Sequence, residues 1–196
     1  RQQVQLTQRG LVDDAVHRVA LGLGLVGHQV LQACAHAAVL QPHRQRTLRL
    51  MGAAEGPVLL IHDTTELDYT SLRSLTGLGQ IGNGGGRGYE CHNPLAVHAP
   101  TRAVIGLANQ ILARRDTVGK GESRKDRLAR QTRESRLWKQ GSEAIGPAPE
   151  GATWIDVCDR GADVFEYIEY ISNSNKIYIV RSKHDRLCTV PGAAGP

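Results

Sequence analysis

The feature that most constrains this chain is a pair of short apolar runs, far apart in sequence, that each end in an aspartate. The first is Val58-Leu59-Leu60-Ile61-His62-Asp63 and the second is Trp154-Ile155-Asp156-Val157-Cys158-Asp159. Gly56 and Pro57 punctuate the chain just before the first, and a continuous apolar run of that length predicts a strand buried on both faces. Side chains alternate along a strand, so Leu59, Ile61 and Asp63 share a face, as do Ile155, Val157 and Asp159. If the two strands are parallel neighbours, both carboxylates meet at the carboxyl ends, where open α/β sheets place their sites. Two carboxylates so close repel unless a cation lies between them, and a hard divalent ion such as Mg²⁺ suits a pair of oxygen donors. Either aspartate alone reads more simply as a turn residue or helix cap. It is the pairing that gives the signal its specificity.

The rest of the chain predicts a context for such a pair. Residues 1–56 are rich in Ala, Leu, Val and Gln and read as helices near 11–20, 28–40 and 43–53, with a break at Gln41 and Pro42. After the first strand come a glycine-rich loop, Gly77 to Gly88, and two strands, Tyr89–His98 and Ala103–Ala113, joined by a short turn at Ala99–Arg102. A helix follows over about 132–146, stopped by Gly146 and Pro147. The fourth strand, Thr153–Cys158, leads to a helix that Asp163 is placed to cap, with Phe165, Ile168 and Ile171 on one side. Lys176–Val180 is the fifth strand. A three-stranded antiparallel meander followed by α/β units, with right-handed crossovers, lays strand four parallel beside strand one. The expected fold class is therefore α/β with a mixed five-stranded, RNase H-like core over 57–190, preceded by a helical segment (1–56) and followed by a short tail (191–196).

Composition narrows the classes further. Aromatic residues are 4% of the 196, so the core must rest on Val, Leu, Ile and Ala. The longest apolar runs, Leu21–Gly27 and Val58–Ile61, fall far short of the ~20 residues of a membrane-spanning helix. Cys34, Cys91, Cys158 and Cys188 form no CxxC pair, which argues against a zinc site or disulfide framework and suits a reducing, cytoplasmic setting. The chain begins with Arg1 and ends in the turn-forming Pro191–Pro196, as expected of a piece of a longer protein. Between Arg114 and Lys139 basic side chains outnumber acidic ones by more than two to one, a segment that attracts phosphate but is more often merely a solvated face, so alone it favours nucleic acid only weakly.

Several motifs are set aside. Gly77-Leu78-Gly79-Gln80-Ile81-Gly82 fits GxGxxG but lacks the strand before and the helix after, so a nucleotide-binding reading has little support. His62, His92 and His98 show no ligand spacing to the aspartates and read as ordinary strand histidines; Asp156 and Asp163 receive structural assignments. Arg73 precedes the glycine stretch and Arg87 lies within it, where both are candidates to touch phosphates, and Arg181, Lys183 and His184 follow the fifth strand at the same sheet end as the two aspartates, where they read either as holders of DNA phosphates or as an ordinary solvated strand end.

With these residues in view, Ile61-His62-Asp63-Thr64-Thr65-Glu66-Leu67 resembles the DTT signature of the DDE transposases of bacterial insertion sequences, insertion-sequence-four type. Val157-Cys158-Asp159-Arg160-Gly161-Ala162-Asp163 resembles their D-R-x-A-D signature. Gly86-Arg87-Gly88, His92 to Val97, Glu134 to Trp138 and Val180 to Lys183 are similar too and follow the family's order, so the likeness covers about Pro42 to Arg186. It implies that Asp63 and Asp159 are the first two members of an acidic triad binding Mg²⁺ or Mn²⁺, and that Arg87, Arg181 and Lys183 lie near double-stranded DNA. It also implies cleavage of transposon ends followed by strand transfer, usually by a synaptic homodimer. The third member of the triad is a glutamate in a Y-x-x-x-R-x-x-x-E motif beyond an inserted β-rich region, whereas this chain has no acidic residue after Asp185. Residues 1 to about 40 do not match the family's end-binding region. The alternative to a catalytic fragment is a non-catalytic DNA-binding or dimerising remnant.

Overall fold

A computed structural model describes residues 28–82, 84–116, 121–130 and 132–185. The expected helix near 11–20 lies outside them, as do Cys188 and the tail. The elements in chain order are α1 (His28–Gly52), β1 (Val58–Asp68), β2 (Gly79–Ile81), β3 (Gly86–His98), β4 (Val104–Leu107), β5 (Ile111–Ala113), α2 (Arg124–Ala129), α3 (Leu137–Ile145), β6 (Trp154–Cys158), α4 (Phe165–Asn173) and β7 (Ile177–Val180). Short 3₁₀ turns at Glu134–Arg136 and Arg160–Ala162 lead into α3 and α4.

The seven strands form one open, mixed sheet. Its main path runs β2-β3-β1-β6-β7, and β4 and β5 also pair with β3. β3 is antiparallel to β1 along its whole length, from Val58 opposite His98 to Asp68 opposite Gly88. β6 lies parallel beside β1 and β7 parallel beside β6, as the crossover argument expects. The architecture is therefore α/β, with the antiparallel hairpins on one side of β1 and the parallel strands on the other.

All the helices that contribute to the core pack on one face of the sheet. Val58 and Leu60 of β1, Ala96 of β3 and Ala108 meet Met51 of α1 and Ile145 of α3 in one apolar cluster. A second cluster joins Leu137 and Trp138 of α3 and Cys158 of β6 to Ala162 and to Tyr167 and Ile171 of α4. α1 is fastened to the sheet by Thr47, fully enclosed, and by His43, whose Nε2 accepts the Leu107 backbone N–H (3.1 Å). The Trp154 indole reaches back to donate to the Met51 carbonyl (3.3 Å), tying the start of β6 to the end of α1.

The other face bears Leu59, Ile61, Leu95, Val97, Ile155, Val157, Ile177 and Ile179, and none of these belongs to either core cluster. Ile61 is 39% exposed, Ile177 54% and Ile179 57%. The continuous apolar run of β1 predicts burial on both sides, but the described helices cover one. Alternation still holds: Val58, Leu60 and His62 are buried while Ile61 and Asp63 are exposed.

Several elements differ from the sequence reading. α1 continues through Pro42 instead of breaking there. Proline at that position removes one hydrogen bond and costs about 3 kcal/mol, which the packing of Thr47, Leu48 and Met51 outweighs. The glycine-rich stretch contributes β2, which adds to β3 by pairing Gly79 with Gly88. The single strand expected over 103–113 is interrupted at Ala108–Gln110, next to an irregularity at Ala96/Val97 that shifts the register of β4. α2, with Ser123 as its cap, was not expected. Asp163 does not cap α4: its Oδ2 accepts the backbone N–H groups of Lys183 (2.6 Å) and His184 (3.0 Å), and Val164 occupies the cap position. Phe165 is 76% exposed; the buried side of α4 is Tyr167 and Ile171.

Candidate functional site

The ladder between β1 and β6 ends with His62 opposite Cys158. Asp63 follows His62 within β1, and Asp159 follows Cys158 as the first residue past β6, so each aspartate comes one position beyond the last paired residues of these parallel neighbours. The first strand does not end at Asp63 as its sequence suggests: β1 runs on to Asp68 because β3 continues to pair with it, as far as Gly88 opposite Asp68. Both are exposed. β7 continues the pattern: Val180 is opposite Cys158, and the Arg181 backbone N–H donates to the Cys158 carbonyl (3.1 Å). Arg181 thus stands on the third parallel strand at the level of the two aspartates.

The carboxylates are held differently. Asp159 has extended backbone and caps the following 3₁₀ turn, its Oδ1 accepting the Gly161 N–H (2.8 Å). Asp63 has no hydrogen-bond or ion-pair partner among the described residues, and its neighbour across the antiparallel pair is Asn93. Exposed carboxylates, one on β1 and one in the turn just past β6, are the oxygen donors a small hard divalent cation prefers, an ion that commonly takes one or two carboxylates and completes its shell with water or phosphate oxygens. Among the described residues no group of three or more His, Cys, Asp or Glu side chains is placed to hold a metal ion. The donor set here is the two aspartates.

Of the basic residues expected near DNA, Arg181 and Lys183 are exposed at this sheet end, with no side-chain hydrogen bond or ion pair among the described residues. Arg87 sits instead on β3, where its Nη2 donates to the Leu75 carbonyl (2.6 Å) and its backbone N–H to Thr70 Oγ1 (2.9 Å), bracing the loop after β1. The basic segment also looks different in three dimensions. Arg115 pairs with Glu90 (3.1 Å), Arg133 and Arg136 both with Glu166 (2.7 and 3.7 Å), Lys139 with Glu143 (3.8 Å), Arg114 with Asp116 (3.9 Å), and Arg130 with Glu122. Much of its charge is balanced by carboxylates within the fold. The GxGxxG match is likewise local structure: Gly79–Ile81 is itself a strand, and no helix follows it.

Beneath the aspartates lies a buried polar chain that sequence reasoning missed. Thr64 Oγ1 is 2.8 Å from His92 Nδ1, His92 Nε2 is 3.2 Å from His62 Nδ1, and His62 Nε2 is 3.3 Å from Asp156 Oδ1. The Ser142 hydroxyl donates to Asp156 Oδ2, and Lys176 Nζ donates to the Ser142 carbonyl (2.7 Å) and hydroxyl (2.9 Å), 4.0 Å from Asp156 Oδ2. The chain crosses β3, β1 and β6 and ends on α3 and β7.

Its electrostatics follow from burial. Burial and the neighbouring His62 push the pKa of His92 down to about 3, so this ring is neutral, with one nitrogen donating and the other accepting. Burial pushes the Asp156 carboxyl up, but His62, the Ser142 hydroxyl and Lys176 together outweigh it and hold it below its ordinary value. Burial lowers the Lys176 ammonium, opposed by Asp156 and Glu143. Alternation held the clue: His62 shares parity with Val58 and Leu60, and Asp156 with Trp154 and Cys158, so both had to enter the core and find partners. The cysteines that are described match their assignment as small buried residues: Cys91 and Cys158 are free and buried, and burial lifts the Cys158 thiol to about 12.

No protein-family model matches the chain.

Proposed function

We propose that this chain is the RNase H-like part of a DDE-type DNA transposase, in which Asp63 and Asp159 hold Mg²⁺ or Mn²⁺ against a DNA phosphodiester. The observation that carries the reading is the register: the parallel ladder of β1 and β6 ends with His62 opposite Cys158, and an aspartate follows on each segment, Asp63 within β1 and Asp159 just past β6. The order of the strands supports it, with β4 and β5 beside β3, then β1, β6 and β7. So do the resemblances around Asp63 and Asp159 described above.

A bound divalent ion supplies Lewis-acid stabilisation of the phosphate and a more acidic attacking water or hydroxyl. The chain's own residues do the rest. Asp63 would supply oxygen ligands from β1 and Asp159 from the turn that follows β6. Arg181, one strand over, and Lys183 beyond it are placed to accept the flanking backbone phosphates of double-stranded DNA, fixing its position without reading its sequence. Arg87 supports the loop between β1 and β2. In this reading the working assembly is a synaptic homodimer on paired transposon ends.

A narrower version, in which the chain binds DNA without cutting it, is favoured by one observation: Arg181 and Lys183 stand exposed just past β7, a surface that holds phosphate whether or not a bond is cut. Calorimetric titration with Mn²⁺ tests the core of both versions. Wild-type chain should bind, and Asp63→Ala and Asp159→Ala should each weaken binding more than tenfold; unchanged affinity in either variant would overturn the cation site. Cleavage of a DNA hairpin by the isolated chain would decide against the non-catalytic version.

A further inference from the structure

We propose that His92 is the positioning residue that couples the two aspartates, and that Thr64 is the anchor through which it does so. This rests on the cation-site reading above and concerns how that site keeps its geometry.

The backbone ladder cannot do this alone. Hydrogen bonding between β1 and β6 ends at His62 and Cys158, one residue before the carboxylates. Beyond that level β1 continues only with β3, while the chain after β6 turns away into the 3₁₀ segment. What fixes Asp63 relative to Asp159 must therefore pass through side chains just below them.

Two paths do so, and they meet at His92. The first is polar. His92 bonds Thr64, the residue after Asp63, through Nδ1, and His62, the residue before Asp63, through Nε2. His62 continues to Asp156 on β6. The segment bearing Asp63 is thus gripped on both sides by one ring, which is itself fully enclosed. With His92 neutral, one of its ring nitrogens donates and the other accepts, and at the far end the Asp156 carboxylate accepts from His62 Nε2.

The second path is steric and leads to Asp159. The His92 ring stands edge-on to Trp138, centroids 5.4 Å apart and planes 63° apart. Trp138 lies so close to the turn after β6 that a Cβ on Gly161 would come within 2.6 Å of its Cζ2. Gly161 is the residue whose N–H holds Asp159 Oδ1. On its other side His92 fills the space over Gly141 of α3, where a Cβ would fall 2.8 Å from Nε2. Glycine at 141 and 161 is what lets a histidine and a tryptophan lie in sequence between the two aspartate-bearing segments. Displacing the His92 ring moves both ends.

Thr64→Val tests this, because Thr64 is only half-buried and valine keeps its shape while removing the hydroxyl. Mn²⁺ affinity, read by electron paramagnetic resonance on the whole chain, should fall about tenfold, the effect typical of losing a partner one shell away from a metal. The melting temperature should move by only a few degrees. Thr64→Ser, which restores the hydroxyl, should return affinity to within twofold of wild type, a rescue that loss of packing alone would not give. Gly161→Ala should weaken Mn²⁺ through the other arm. Wild-type affinity in a folded Thr64→Val chain would overturn the proposal and leave the cation site standing. If Thr64→Val does not fold, serine giving the same loss as His92→Gln would overturn it. Absence of Mn²⁺ binding by the wild-type chain would overturn the cation site and this coupling together.

Discussion

Lowering the pH from 8 to 5 should destabilise the fold by about 2 kcal/mol through His92 alone. The folded pKa of His92 lies near 3 and the ordinary value is 6.5, because the ring is enclosed beside His62 and a charge there would be unsolvated. The direction follows from proton counting. Between pH 3 and 6.5 the unfolded chain binds a proton at this position that the folded chain refuses, so stability is highest above 6.5 and falls as the pH drops. At pH 5 the unfolded histidine is almost fully protonated, which gives the ~2 kcal/mol; the limit, approached near pH 3, is roughly 5 kcal/mol. Asp156 acts in the same sense but below its ordinary value of 3.8, outside this window. Glu90, raised mainly by burial, acts in the opposite sense, losing stability as pH rises above 4.5. Subtracting a variant removes these shared contributions. Urea unfolding followed by circular dichroism at pH 8, 6.5 and 5, at fixed ionic strength, should show the wild-type midpoint falling by about 1 M more than that of His92→Gln, for a denaturant slope near 2 kcal/mol/M. Gln keeps a donor and an acceptor but does not titrate. Equal pH dependence in the two proteins would refute the claim that His92 is held neutral.

Other outcomes follow from the two faces of the sheet and from its basic end. Leu60→Ala, at a site 1% exposed within the core cluster, should cost about 2–5 kcal/mol, whereas Ile177→Ala, on the uncovered face, should cost less than about 1 kcal/mol in the same chemical denaturation assay. Arg181→Ala and Lys183→Ala should each weaken binding to duplex DNA and reduce the slope of log affinity against log salt by about 1, measured by fluorescence anisotropy. Arg87→Ala should leave that slope unchanged, because its guanidinium is engaged with the Leu75 carbonyl, and should instead increase proteolysis between Thr70 and Leu75.

The parts of the fold legible in the sequence were those governed by strong local patterns. The starts of the strands at Val58 and Trp154, the turn at Ala99–Arg102, and the stop at Gly146-Pro147 all follow from residue type alone, and the order of elements led to the parallel placement of β6 beside β1. The end of β1 did not: the polar residues after Asp63 hide five more strand positions, through Asp68, that exist because β3 pairs with them. What was illegible depended on tertiary partners. Pro42 breaks a helix in isolation but not one anchored by Met51 and Thr47. A three-residue strand such as β2 has too little pattern to stand out and exists because Gly88 of β3 offers it an edge. At the site, the two aspartates could be found because strand parity and position are written locally. Their support could not be assigned without knowing that His62, His92 and Asp156 converge from three strands. Parity alone showed that His62 and Asp156 would be buried; it did not show that they would find each other. The ion pairs of the basic segment were hidden for the same reason, since the carboxylates that balance Arg115, Arg133 and Arg136 lie on β3 and α4, outside the segment.

The most direct measurement is anomalous diffraction from crystals of the chain grown with Mn²⁺. A peak within roughly 2.5 Å of a carboxylate oxygen of both Asp63 and Asp159 is the expected result. Well-ordered aspartates with no density between them, at Mn²⁺ concentrations that saturate binding in solution, would contradict the account.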